Sequence, residues 1–587
     1  MNSENVKTAL FAETGEEQDT CFKKKAISAL EEIVFFVLLF AITVMAFIYI
    51  KPYYKNSDTG IRAGVYAQSI MAILIACILV VGVVMIAFKG LDRKSAIYLL
   101  FMIGVVIRLC YMLYTPITSR QHDTFNRSHT GHEAYAWTIF STGKLPATND
   151  YQFYHPPLNA FIQANFMKFM QAFTTFLTEH CGFSADYFPD KFLQSFSSSK
   201  LPKGSEMRFF LFSTNQILAV MYSVITMVYA LKLVKLFDFK GSTAVLVSAI
   251  VILFPRHVQF AGMVNNDALS YMCSVLALYF AVKWQKKGRQ IWNILLCALF
   301  VGLGMMTKLA TATICLPIGG IFVYEFILAL QDFIKDIKSK EKLNIKKHIY
   351  LPIQFICFLI ICAPLGLWFQ VYAKATHGQG FGFVFGNLNK LLATDHHSLF
   401  ERLFFTFDFN EYFGSLYCVC FSDKNYAYYN NYNLFNYQVR SAIFGEFSYW
   451  QGEGFAVVAL LFAWISCFVL AIGLIKCLLI YIKYNRRQDV FKTDEKIIDI
   501  KDFIILFLLV VSQVLPEIFF YIKMPYACTM DFRYVMPLIT GLALMTGYVK
   551  KTLISEGSAF SIGLNKVMTI VITVFLVSSS LFYCTCI

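Results

Sequence analysis

The chain has 587 residues, 57% of them hydrophobic and only 15% charged. A soluble domain is nearer half apolar and a quarter charged, so the composition excludes a water-soluble globular protein. The formal net charge of +14 comes without a basic, aromatic-interleaved patch, which argues against a nucleic-acid partner; in an apolar chain it reads as the Lys/Arg excess of cytoplasmic loops.

The chain begins with a long polar stretch ending in Lys23, Lys24 and Lys25. The apolar run that follows reads as a retained first span rather than a cleavable signal. Apolar runs of about 20 residues, the length that crosses a bilayer, recur from there to the end. They predict an all-α polytopic membrane protein with thirteen spans, near 33–50, 65–88, 96–114, 209–231, 241–256, 268–283, 291–306, 309–329, 349–369, 454–482, 502–522, 532–549 and 566–585. The basic loops test this order. "FKKK" before the first span, "KGLDRK" (89–94), "KLVKLFDFK" (232–240), "KWQKKGRQ" (283–290), the Lys-rich 335–347 stretch, "KYNRRQ" (483–488) and Lys550-Lys551 all fall inside when the N-terminus is cytoplasmic. Counting 157–177 as a span would invert every later loop. That segment is therefore expected to be an amphipathic helix along the outer interface, entered at Pro156-Pro157.

Three outer loops are then long enough to act: 115–208, 257–267 and 370–453. The sixteen cysteines lie scattered, many within apolar runs (Cys110, Cys297, Cys362), and read as small packing residues. The terminal Cys584-Thr585-Cys586-Ile587 mimics a prenylation box, but ends an apolar helix placed outside.

The first outer loop opens with "RQHDTFNRSHTGHE", which holds Asp123, Glu133, His122, His129, His132, Arg120 and Arg127. His155 follows in "YHPPL", at the start of the interfacial helix. Arg256 and His257 close the fifth span, and Asp267 ends the second outer loop in "NNDAL". Asp267 also fits a plain helix cap. Lys308 is a lone cation between two apolar spans and should face an anion or a carboxylate. Arg533 starts the twelfth span from outside, with Asp531 as its nearest acidic neighbour. His122, Asp123, His129 and His132 are metal-ligand types, so a divalent metal stays open, although no spacing matches a strong metal signature. Two carboxylates and several cations thus converge on one membrane face. Cations there suit a lipid-anchored phosphate, and a carboxylate beside it can take a proton from a hydroxyl.

These segments resemble the GT-C superfamily of membrane glycosyltransferases, in particular the branch holding the protein O-mannosyltransferases and the lipid A aminoarabinose transferase. The resemblance rests on "RQHD", "GHEAYA", "GKLP" and "QFYHPPL", then "NNDAL", "GLGMMTKLA", "APLGLW" (363–368) and "FRYVMP", in that order across residues 96–550. It implies a catalytic module over 96–550, preceded by a tail and two extra spans (1–95) and followed by a last span (551–587). It implies an inverting transfer of a sugar from a polyprenyl-phosphate donor to an acceptor hydroxyl on a glycan, lipid or protein. Asp123 is then the base and Asp267 the second acid, while Lys308, Arg533, His122, His132, His155 and Arg256 hold the substrate. His155 stands where the aminoarabinose transferases carry Lys. No resident cofactor follows from the resemblance. A bacterial plasma membrane, with the site on its outer face, is the expected location. The alternative reading is a transporter or flippase of a lipid-linked or polymeric substrate, which would place charges within the spans. The aromatic stretch 400–450 suits either a cover over the site or an interfacial belt.

Overall fold

The computed structural model describes residues 29–51, 74, 78, 82, 92–118, 120–125, 131–184, 188, 206–338, 345–382, 393–404, 416–418, 431–449, 452–486 and 500–585. The predicted span 65–88 (apart from three isolated positions), His129, Arg127 and much of the aromatic loop lie outside them.

The described chain is 83% helical and forms no strand. In chain order, α1 (Ala29–Tyr49) and α2 (Arg93–Tyr114) lead into a long loop that carries α3 (His132–Thr142) and α4 (Leu158–His180). An apolar stretch Glu206–Leu236 follows, then α5 (Gly241–Leu253) and the short α6 (Pro255–Gln259). Next come α7 (Asp267–Lys286), α8 (Ile291–Thr307), and the long apolar stretches Leu309–Lys338 and His348–His377. The short α9 (Leu434–Phe444) precedes Glu453–Lys483 and Lys501–Lys523. Two 3-10 turns, Ala527–Met530 and Phe532–Val535, then lead to α10 (Leu538–Glu556) and the last helix, Ala559–Thr585.

Eight of the described helices are long and apolar enough to cross a membrane, or ten when each of two bent pairs is taken as one span. Every predicted span except 65–88 falls on a helix, and among the described residues eight to ten of these helices meet the length and apolarity of a crossing, so the full count of thirteen is not confirmed. The shortfall has a physical cause in two places. Helix α8 has only 17 residues. Helix α7 is buried on most sides, so its composition is set by protein neighbours rather than lipid; Ser270 bonds Thr311 at 2.7 Å and Tyr271 bonds Thr540 at 3.1 Å. The lipid-facing helices do the opposite. In α1, Leu30, Val37 and Ile42 are exposed, while Leu39, Thr43, Val44, Phe47 and Ile48 form one buried stripe.

The bends position the site. Pro255 ends α5, and the chain turns by 42° into α6; proline lacks the N–H that would continue the helix. Pro537 marks the 59° bend between the 3-10 segment carrying Arg533 and α10. Helix α4 begins directly after Pro156-Pro157 and is not among the helices apolar enough to cross. Its buried face runs Ala160, Ala164, Met167, Met170 and Thr174, while Phe161, Phe169 and Phe176 are exposed on the other side. The structure thus has the amphipathic helix that the charge pattern requires.

Candidate active site

The loop from Thr115 to Gly131 carries Asp123 in an uncommon backbone shape. Arg120 and Asp123 have φ of 55° and 54°, the left-handed region that costs a non-glycine residue on the order of 1–2 kcal/mol. Such a shape persists only where its surroundings hold it. Gln121 donates to the Gly262 carbonyl at 2.8 Å and accepts from the Val264 N–H at 2.9 Å. This ties the first loop to the loop that ends in Asp267. The carbonyls of Asp123 and Thr124 accept the His132 and Glu133 N–H groups, both at 3.0 Å, so the loop caps α3. Gly131 allows the approach: a Cβ there would lie 2.4 Å from the Thr124 carbonyl oxygen.

Both carboxylates read from the sequence are ion-paired to cations read from it. Arg533 reaches Asp123 at 3.2 Å. Lys308 is bonded to Asp267. Asp267 is the first residue of α7, with Asn265 donating to it at 2.9 Å, and the helix N-terminus also favours its charge. Burial pushes its carboxyl up, but the charges of Lys308 and Arg533 outweigh this and hold it below the usual carboxylate range. Tyr534 joins the two pairs: its hydroxyl accepts from Arg533 at 3.0 Å, and Lys308 lies 4.7 Å from its ring centre. Asp267, Lys308, Arg533, Tyr534, Ser270 and Gln513 line one small cleft, and Asp123, 38% exposed, is tied to it through Arg533.

A second cluster lies deeper. Arg256, on α6 and fully buried, grips Asp531 through Nη2 at 2.6 and 2.8 Å. The same nitrogen lies 3.0 Å from His122 Nε2. Nε2 also lies 3.3 Å from the Asp531 carboxylate, and Nδ1 lies 3.4 Å from Glu446, so the ring bridges two acids beside the guanidinium. Glu446 also accepts from the Tyr437 hydroxyl at 2.6 Å. Gly445 lies against Arg256 with φ +64°, and a Cβ there would collide with the guanidinium. Phe447 packs on His122 with ring centres 4.7 Å apart, and Tyr449 lies 5.4 Å from the Arg120 guanidinium. Asp531 also accepts the Arg533 backbone N–H at 3.1 Å, which links this cluster to the cleft. His122, Glu446 and Asp531 have ligand atoms within 4.8 Å of one another, but Arg256 already supplies positive charge to the group.

Two further histidines of the first outer loop pair with each other. His132 and His155 stack with rings 6.1 Å apart and 13° from parallel, and Tyr154 packs on His155 at 4.1 Å. Burial is the main cause that lowers His122, His132 and His155, reinforced by Arg533 and Arg256 at His122 and by His132 and Lys308 at His155. His132 falls to about 4, with burial outweighing the favourable charges of Asp123 and Asp267. All three are therefore neutral at pH 7. Glu133, buried in the first turn of α3, is gripped by Arg208, whose guanidinium lies 5.0 Å from the Trp137 ring.

Asp123, Asp267, Lys308, Arg533 and His132 thus come together, and His155 joins them through His132. His122 and Arg256 are buried in contacts with protein groups. Sequence reasoning missed Glu446, Tyr534, Gln121 and Gln216. Glu446 carries no local signal, and Tyr534 lay unread inside "FRYVMP".

Residues 211–368 match the model of the dolichyl-phosphate-mannose-protein mannosyltransferase family. This stretch contains Arg256, Asp267 and Lys308, while Asp123 and Arg533 lie on either side of it. No curated protein and no solved structure matches the chain. Over that stretch the chain is similar to a family of membrane glycosyltransferases, and its long apolar helices are those of a multi-pass membrane protein.

Proposed function

We propose that the protein is an inverting glycosyltransferase that moves a sugar from a polyprenyl-phosphate donor to an acceptor hydroxyl at the outer membrane face. The observation that carries this reading is that Asp267, Lys308 and Arg533 line one cleft and Arg533 also pairs with Asp123, so that four separate chain segments bring two acids and two cations together. A transferase of this kind needs a base, a second acid and cations for a phosphate, and these are the groups present.

In the proposed reaction Asp123 accepts the proton of the acceptor hydroxyl. The acceptor oxygen bonds to the sugar C1 from the face opposite the phosphate. The C1–O bond to phosphate breaks, its electron pair stays on the phosphate oxygen, and polyprenyl phosphate leaves. Arg533 and Lys308 stabilise that developing charge. Arg533 has five N–H donors and is able to hold Asp123 and a phosphate oxygen together. Asp267 keeps Lys308 aimed into the cleft. His132 and His155, neutral and stacked, offer ring faces and N–H groups to the sugar. Arg256 and His122 act indirectly: they hold Asp531, which accepts the Arg533 backbone N–H. A divalent cation is not needed for charge in this scheme, because Lys308 and Arg533 supply it. The acceptor class is a glycan, lipid or protein hydroxyl at a bacterial plasma membrane.

The test is transfer by purified full-length protein from a panel of radiolabelled polyprenyl-phosphate sugars, with membrane extract as the acceptor source. Label reaching an acceptor supports the reading and names the sugar. A donor that binds and crosses the bilayer unchanged would favour a flippase.

A further inference from the structure

Helix α1 lies ahead of the segments that carry the family resemblance, and the transferase reading gives it no task. Its surroundings do. Lys51, just past its end, is 3% exposed, and its ammonium donates to the carbonyls of Met112, Thr115 and Leu113 at 2.6, 3.0 and 3.4 Å. These carbonyls close the C-terminal end of α2, which carries partial negative charge and leaves its last carbonyls without helical partners. Burying a cation is costly without such partners. The three carbonyls at the end of α2, where the Asp123 loop begins, supply those partners.

The contact continues toward the site. Gln216 donates to Thr115 O at 3.0 Å and to Gly262 O at 2.7 Å. Gly262 O also takes the Gln121 amide, two residues before Asp123. A continuous chain of hydrogen bonds thus runs from Lys51 through Thr115, Gln216 and Gly262 to Gln121. It fixes the two strained residues, Arg120 and Asp123, against the loop that ends in Asp267. Elsewhere α1 is clamped to the same unit. Glu32 bonds Lys232 at 2.6 Å, Phe40 packs on Phe166 at 6.2 Å, and Tyr49 packs on Phe183 at 5.9 Å.

We propose that Lys51 is a positioning residue for the reaction: through the C-terminal end of α2 it sets the place of Asp123 relative to Asp267. This rests on the transferase reading for its catalytic consequence, but not for its structural one. The experiment compares full-length wild type, Lys51→Met and Lys51→Arg in detergent by hydrogen–deuterium exchange and by transfer. Peptides spanning Thr115 to Asp123 should exchange about tenfold faster in Lys51→Met, with peptides from α8 unchanged and Lys51→Arg close to wild type. With the donor that wild type turns over, kcat should fall roughly ten- to a hundred-fold in Lys51→Met while the donor KM stays within about twofold. If Lys51→Met aggregates, Lys51→Gln, with two neutral donors, takes its place. Unchanged exchange in the loop, or equal loss in Lys51→Arg, overturns the proposal. If wild type transfers from no donor, the transferase reading fails alone, and the exchange arm still decides whether Lys51 holds the loop.

Discussion

Lys308→Met isolates the buried half of the site. Asp267 is 3% exposed and is bonded to the Lys308 ammonium. Removing the lysine leaves a buried carboxylate with the Asn265 amide at 2.9 Å, the N-terminus of α7 and the more distant charge of Arg533. Breaking a buried pair in this way costs about 3–5 kcal/mol, and the helix terminus offsets at most about 1–2 of that. A net loss of about 1–4 kcal/mol at about 2 °C or less per kcal/mol in so long a chain predicts a fall of a few degrees in apparent Tm. The discriminating assay is a double-mutant cycle. Asp267→Asn alone strands the lysine, whereas Asp267→Asn with Lys308→Met removes both charges and should recover most of the lost Tm. Thermal melting of the purified protein in one detergent reads all four corners. Additive losses, with no recovery in the double variant, would refute the coupling drawn between these two side chains.

Other consequences follow from the same geometry. His132 is held down to about 4 by burial. Between pH 6.5 and 4 the unfolded chain binds a proton there that the folded chain does not, so stability falls as pH falls through that window, by about 1–3 kcal/mol from this residue. His132→Gln should flatten the pH dependence of melting, and an unchanged slope contradicts the assignment. Gly131→Ala forces a Cβ toward the Thr124 carbonyl, 2.4 Å away, and should cut transfer roughly ten- to a hundred-fold by displacing Asp123; wild-type turnover in this variant argues against the loop geometry. Transfer should survive EDTA within about twofold, since charge in the cleft comes from Lys308 and Arg533; a loss restored by a divalent cation overturns that part of the scheme.

The helices were largely legible because lipid imposes a simple rule on the residues that face it. Runs such as 33–50 or 454–482 need no partner to be read. Helix α7 shows where the rule weakens: packed inside the bundle, it carries serines and tyrosines that bond neighbours and lower its apolarity. Within the site, single residues were visible where an ionisable group interrupts or borders an apolar run, as Asp123, Asp267 and Lys308 do. That Lys308 requires an anionic partner follows from its setting alone, and Asp267 supplies it. The pairings themselves were not visible. Arg533 stands two residues from Asp531 and 410 from Asp123, yet reaches Asp123 at 3.2 Å and leaves Asp531 mainly to Arg256. Only the bends at Pro255 and Pro537 bring these segments together, and a bend angle cannot be read from residue type. Glu446 is hidden for the same reason: one acid in an aromatic loop gains meaning from His122, more than 300 positions earlier.

Sugar transfer by wild type beside Asp123→Asn tests the central claim most directly. Asn preserves the shape of the side chain and removes its basicity. The account predicts that wild type transfers label from one polyprenyl-phosphate sugar, and that Asp123→Asn binds that donor with similar affinity while kcat falls by about a hundredfold or more. Equal turnover by the two proteins would contradict it.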